Sequence, residues 1–358
     1  MIIQLFVFLL GAVIVIDTVL SAARTFVVPR GEPVFLTRAV FIAIRSVFNF
    51  WTARVKSYEA RDRIMGYYAP MSLLALPPVW LALVLIGYTG MFWALGVASP
   101  AEAFKVSGSS LFTLGSAPVN GLLESSLTFT EAAIGLVLVA LFIAYLPTMY
   151  AAFQRRETLV TLLEVRAGSP PSAVELIERY HRIHGFARLS EMWEKWEVWF
   201  ADLEESHTSL AALIYFRSPA PNRSWVTAAG AVLDGAALAA STLDIPRDAR
   251  ADLCIRAGFL ALRAIGDLLH FNYNPRPQPT DPISITRADF DAVCDRLASQ
   301  GIPLKPDRDQ AWRDFVGWRV NYDEILLGLA DVTMAPLAPW SSDRSTGKAR
   351  ELRQHRKE

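Results

Sequence analysis

Three stretches of this sequence are too long and too apolar for the surface of a water-soluble fold. Residues 2–23 are apolar apart from Gln4, Asp17, Thr18 and Ser21, while Pro70 to Gly96 and Ala132 to Phe153 carry no charge. A helix of ~22 residues, rising ~1.5 Å each, covers the ~30 Å hydrocarbon core of a bilayer, so each stretch predicts a spanning helix. A cleaved leader is the competing account of the first stretch. No basic residue precedes it, and Arg24 and Arg30 follow it, which favours a retained anchor. The mean hydropathy of +0.28 agrees with a membrane protein. Basic and acidic residues balance at 35 each, so no net charge points to nucleic acid or to a disordered chain. Cys254 and Cys294 stand far from any CxxC or Cys/His spacing, which argues against a disulfide framework and a zinc site.

Basic flanks set the expected orientation, because positive charge resists translocation. Residues 24–69 hold eight Lys/Arg, residues 97–131 hold only Lys105, and Arg155 and Arg156 follow the third stretch. The expected topology is a multi-pass protein with its N-terminus outside and everything after the third span cytoplasmic. Val34 to Met65 is different in kind. Its polar residues Arg38, Arg45, Asn49, Thr52, Lys56, Glu59 and Arg63 are spaced 7, 4, 3, 4, 3 and 4, one stripe of a helix. This amphipathic helix either lies along the inner membrane surface or spans with its stripe against protein.

Between the second and third spans, Ala101 to Asn120 is too short and polar to cross, yet it holds a helical stretch followed by Thr113-Leu114-Gly115-Ser116-Ala117-Pro118. Irregular backbone at membrane depth occurs where it is buried in protein or lines water, so this is a candidate re-entrant segment, with a plain extracellular loop as the alternative. Gly115 permits backbone angles that aim successive carbonyls at one axis. The run Ser109-Ser110-Leu111-Phe112-Thr113-Leu114-Gly115 resembles the pore region of tetrameric potassium-channel-like proteins, over roughly residues 70–156. That family continues with an aromatic residue, a glycine and usually an aspartate, where this chain has Ser116, Ala117 and Pro118.

The resemblance implies a homotetramer of bacterial type in the inner (plasma) membrane. Outer helix, pore loop and inner helix would surround a central axis, with Thr113, Leu114, Gly115, Ser116 and Ala117 as the filter. Its implied cargo is a monovalent cation, potassium or sodium, on the filter carbonyls, with weakened selectivity and no cofactor or other metal. Gly135 and Pro147 in the third span are the candidate hinge and gate, although prolines are common in membrane helices without such a role. Asp17 is a second candidate, because a carboxylate in lipid is costly; pairing with a nearby arginine is the plainer account.

From Gln154 the sequence is charged and helix-punctuated. Ser172 to Glu175 and Thr286 to Asp289 read as capping boxes, and helical periodicity recurs over about 187–216, 224–243, 247–272 and 308–330. His181, His184 and the Glu204 to His207 cluster fit no known zinc pattern, and GxSxG, GxxxxGK[ST] and GxGxxG are absent, so no enzyme is expected. Trp193, Trp196, Trp199 and Phe200 form one helix side, suited to a core or to a membrane or subunit boundary.

The whole reads as an all-α membrane protein in five parts: an N-terminal transmembrane helix (1–30), an amphipathic helix (31–68), a pore domain (69–156), a helical cytoplasmic domain (157–340) and a disordered basic tail (341–358). The expected activity is cation conduction through the lipid bilayer. The alternative is a non-conducting membrane-anchored sensor acting through its helical domain, whose regulatory ligand is unknown.

Overall fold

The computed structural model describes residues 1–28 and 34–354, so Arg30 and residues 355–358 of the expected tail lie outside the described residues. Fourteen α-helices and no strand occur among the described residues, with one isolated antiparallel bridge between Leu243 and Leu304. The chain forms two compact units, one of Met1–Lys56 with Ile64–Ala151 and one of Ser57–Arg63 with Ala152–Glu358.

The first unit is built on α1 (Ile2–Phe26), α2 (Phe35–Thr52), α4 (Tyr68–Ala94), α5 (Pro100–Leu111) and the first part of α6 (Leu122–Ala167). α1, α4 and α6 are each long and apolar enough to cross a membrane. α1 packs on α4 through small residues: a Cβ at Gly11 would stand 2.4 Å from the Gly87 carbonyl oxygen. Apolar helices gain little from burial against lipid-like neighbours, so close backbone approach through glycine supplies their association. Gly11, Val15, Thr18 and Ala22 are buried on this side of α1, and the Thr18 hydroxyl donates to its own Ile14 carbonyl at 2.7 Å. Asp17 is exposed on another face and has no arginine partner among the described residues.

The single amphipathic helix expected over 34–65 is two helices. α2 ends at Thr52, and α3 (Tyr58–Met65) begins after a break at Ala53 to Ser57. A continuous polar stripe does not register this break. α2 turns Phe41 and Phe48 onto the Tyr68 ring of α4, at 6.2 and 6.0 Å between centroids.

The second unit contains α7 (Ala173–Arg182), α8 (Leu189–Ser209), α9 (Trp225–Thr242), α10 (Ala249–Leu268), α11 (Arg287–Ser299), α12 (Arg308–Arg319), α13 (Asp323–Thr333) and α14 (Lys348–Gln354) around the end of α6. Ser172 caps α7, and Thr286 with Asp289 forms a complete capping box on α11. α9 runs through the core, and its alanines and glycines let neighbours come close: a Cβ at Gly235 would meet the Leu176 side chain at 2.7 Å. Trp193, Trp196, Trp199 and Phe200 are all buried in this core, which removes the membrane-boundary reading of that run. Asp234, the charge in the middle of α9, is neutralised internally: Arg319 donates to it and, at 2.7 Å, to Asp323, and the Tyr322 hydroxyl donates to Asp234 at 2.8 Å. The expected helix over 308–330 is divided into α12 and α13 at Val320 to Tyr322, where the Asn321 side chain bonds back to the Gly317 carbonyl.

The expected disorder from residue 341 is corrected for residues 342–354. Residues 342–344 form a 3-10 turn, α14 follows, and Ala349 and Leu352 enter the core. Basic composition predicted a solvated tail, but Arg344 and Lys348 find partners. Arg344 donates to the Ser284 carbonyl at 2.6 Å and to Asp289 at 3.1 Å. Arg344, together with Thr286, pulls the Asp289 carboxyl down to about 2.

Candidate functional site

α5 is a short helix with a defined start and an unusual end. The Ser99 side chain accepts from the Glu102 amide, and Pro100 occupies the first turn, where its missing N–H is harmless. At the other end, the Thr113 amide donates to the Ser110 carbonyl at 3.0 Å and the Leu114 amide to the Ser109 carbonyl at 2.8 Å. These two bonds make a Schellman motif with Thr113 at the left-handed position, φ 54°. Glycine normally fills that position; a β-branched threonine there stores roughly 1–3 kcal/mol of backbone strain. Gly115, two residues on, is left-handed as well, φ 67°.

The loop then folds back on α5 through one side chain. The Ser109 hydroxyl oxygen, buried in the helix, accepts from the Ser116 amide at 2.9 Å and from the Ala117 amide at 3.2 Å. The amides of Thr113, Leu114, Ser116 and Ala117 therefore all turn toward the helix. No hydrogen bond within the described residues reaches the carbonyls of Thr113, Leu114, Gly115, Ser116 or Ala117. Phe112, Thr113, Leu114, Gly115 and Ser116 are exposed, and a Cβ on Gly115 would meet nothing within 4 Å. The C-terminal end of α5, with its partial negative charge, points its last turn at this loop.

Two helices hold α5 in place. On α6, a Cβ at Gly135 would lie 2.5 Å from the Leu111 carbonyl oxygen, so glycine is what allows the last turn of α5 to seat there. The structure thus gives Gly135 a close-approach role inside an unbroken helix. One turn earlier on α5 the Ser107 hydroxyl reaches both the Leu85 carbonyl of α4, at 3.1 Å, and the Glu131 carboxyl of α6. Glu131 is fully buried and its second oxygen has no partner among the described residues. The Tyr88 hydroxyl donates to Thr130 beside it, at 3.0 Å. Pro147 is exposed on α6, which continues through it from Leu122 to Ala167.

Sequence reasoning brought out residues 113–117 and Gly135, and the structure assembles these around the end of α5. It missed Ser107 and Glu131, and it took in Ser109 only as part of the Ser109 to Gly115 run, without its acceptor role. The signal for Glu131 was present, since it is the charge at which the third apolar stretch begins. Nothing marked Ser109 as the acceptor, since it is one of three serines within Ser107 to Ser110.

The second unit does not gather its histidines. His181 packs on the Phe186 ring at 5.5 Å, His184 is exposed with φ 50°, and His207 is fully buried elsewhere. Among the described residues no three metal-binding side chains cluster. His207 instead belongs to a buried hub. Its Nδ1–H donates to the Leu203 carbonyl at 3.0 Å, which leaves Nε2 to accept from Arg156 at 3.2 Å. Arg156 also donates to Glu157 and to the Leu213 and Phe216 carbonyls. Burial, and then the neighbouring Arg156 charge, push the His207 pKa well below the ordinary histidine range.

The fold and sites define an all-helical protein with three helices able to cross a membrane, consistent with membrane association. Comparison with protein-family profiles, curated proteins and solved structures finds no match for the chain.

Proposed function

We propose that this chain is the pore-forming subunit of a cation channel with potassium-channel-like architecture. α4 is the outer helix, α5 the pore helix, residues 113–117 the filter and the first part of α6 the inner helix. The observation that carries this reading is the polarity of the loop: the amides of Thr113, Leu114, Ser116 and Ala117 are spent on α5, while the five successive carbonyls of residues 113–117 receive no hydrogen bond among the described residues. Carbonyls held in this way can replace the water around a monovalent cation. One chain supplies a single such loop, so the reading requires four copies around an axis. The exposed apolar side chains of Phe112 and Leu114 on the loop, and of Leu136 and Ile143 on α6, support cover by lipid and by neighbouring copies. Without a second filter glycine at Ala117, selectivity between potassium and sodium is expected to be weak. The topology that goes with this reading is an inner-membrane protein with its N-terminus outside and its C-terminal unit in the cytoplasm.

Reconstitution in liposomes under a potassium gradient tests the proposal. Wild type should pass the cation, and Gly115→Asp and Thr113→Lys should abolish flux without changing the oligomer seen by size-exclusion chromatography with light scattering. Equal flux in wild type, both variants and empty liposomes, or a monomer, refutes it and favours the anchored sensor.

A further inference from the structure

We infer that the cleft between the end of α6, α7 and the start of α8 is a binding site for a free single-chain anionic amphiphile, such as a long-chain fatty acid. The cleft encloses about 710 Å³, within the span of small-molecule sites. Its floor is apolar and fixed, made of Leu163, Tyr180, Met192 and Trp196, all buried. Its mouth is apolar too, but open to water: Leu162, Val165 and Ile183 are exposed at the edge. An apolar chain laid along these residues removes that surface from water, at about 0.8 kcal/mol for each methylene buried.

The rim supplies the second requirement, a place for negative charge. Five cations line the cleft against one acid, Glu191. Arg179 is occupied by Glu175 and the Glu164 and Val165 carbonyls, and Arg166 bonds its own Leu162 carbonyl. Arg182, Arg188 and Lys195 remain exposed with no acidic partner among the described residues. Elsewhere in this unit arginines are commonly paired, as Arg223 is with Glu164, Arg296 with Glu178 and Arg308 with Asp295. Three unpaired cations around one apolar cleft match a carboxylate headgroup on a hydrocarbon chain. This site lies wholly within the second unit and does not depend on the pore reading.

The test uses the full chain in zwitterionic nanodiscs, a palmitate carrying a diazirine, and mass spectrometry of the cross-linked peptides. Labelling should concentrate on residues 159–166 and 182–196, be competed by palmitate but not by inorganic phosphate or the palmitate methyl ester, and fall about tenfold or more in Arg182→Glu with Lys195→Glu. Thermal midpoints of the variant within a few degrees of wild type show that it still folds. Absent or evenly spread labelling, competition by phosphate or the ester, or unchanged labelling in the charge-reversed variant overturns the inference. So does an Ile183→Cys cross-link between two copies, which would assign the cleft to subunit contact.

Discussion

Replacing Ser109 by alanine tests how the 113–117 loop is held. The hydroxyl oxygen accepts two amide hydrogen bonds, from Ser116 at 2.9 Å and Ala117 at 3.2 Å, and nothing else on α5 replaces it. Each such bond is worth about 0.5–1.5 kcal/mol net. Ser116 is exposed and Ala117 half-buried, so water recovers part of the loss, and the combined effect should be about 1–2 kcal/mol. That shifts the ordered fraction of the loop about 5- to 30-fold. Hydrogen exchange of the full-length protein in nanodiscs reads this directly at the two amides, whether or not the protein conducts. Ser109→Ala should accelerate exchange at Ser116 and Ala117 by that factor and leave α4 unchanged, while Ser109→Thr keeps the acceptor and most of the protection. Unaltered exchange in the alanine variant would refute the role given to Ser109.

Three other perturbations follow from the packing. Ser107→Ala removes the hydrogen bond to the buried Glu131 carboxyl, whose other oxygen has none among the described residues, and should lower stability by about 1–3 kcal/mol. Ser107→Ala with Glu131→Leu should recover part of that loss, and thermal midpoints falling additively would contradict the pairing. Gly11→Leu forces a side chain to within 2.4 Å of the Gly87 carbonyl, so α1 should leave α4. A disulfide between Val7→Cys and Gly90→Cys, which face each other, should form in the Gly11 background and fail in Gly11→Leu. For His207 the folded pKa lies below the unfolded one, so stability is at its plateau, with no slope from this group, above about pH 6.5. Below that, the unfolded chain takes up a proton the folded chain refuses, and stability should fall by up to about 1.4 kcal/mol per pH unit. His207→Gln should flatten this part of the stability profile, and identical slopes in wild type and variant over about pH 5–7, around the unfolded histidine pKa, would contradict the buried neutral histidine.

Patterns with a period were legible in the sequence. The three apolar stretches gave α1, α4 and the middle of α6, and the capping residues Ser172 and Thr286 placed the starts of α7 and α11 to within a residue or two. What the period does not encode is where a helix breaks without proline or glycine. The polar stripe of 34–65 continues through the break at Ala53, so nothing in its spacing marked the end of α2. Counting charges has a related limit, since it does not tell what a charge touches. Arg156 was read as a flanking cation, yet it is fully buried and bonded to Glu157 and His207, a state that depends on residues about 50 positions away. The tail shows the same limit, since Leu352 is held against Gly328, where a Cβ would meet it at 2.7 Å. In the candidate site the glycines and the Thr-Leu-Gly run were visible. The Ser109 acceptor was not, because one serine among several has no signature until the loop is folded back upon it.

The most direct measurement on the central claim is single-channel recording of Ser116→Cys in planar bilayers with a membrane-impermeant, positively charged thiol reagent. Cys254 and Cys294 are buried, so wild type provides a background free of accessible thiols. The account predicts a cation current in wild type that ignores the reagent, and a current in Ser116→Cys that is blocked when the reagent is applied from one side only. A wild-type current together with a Ser116→Cys current that the reagent leaves untouched from both sides, or no current from a confirmed tetramer, would contradict it.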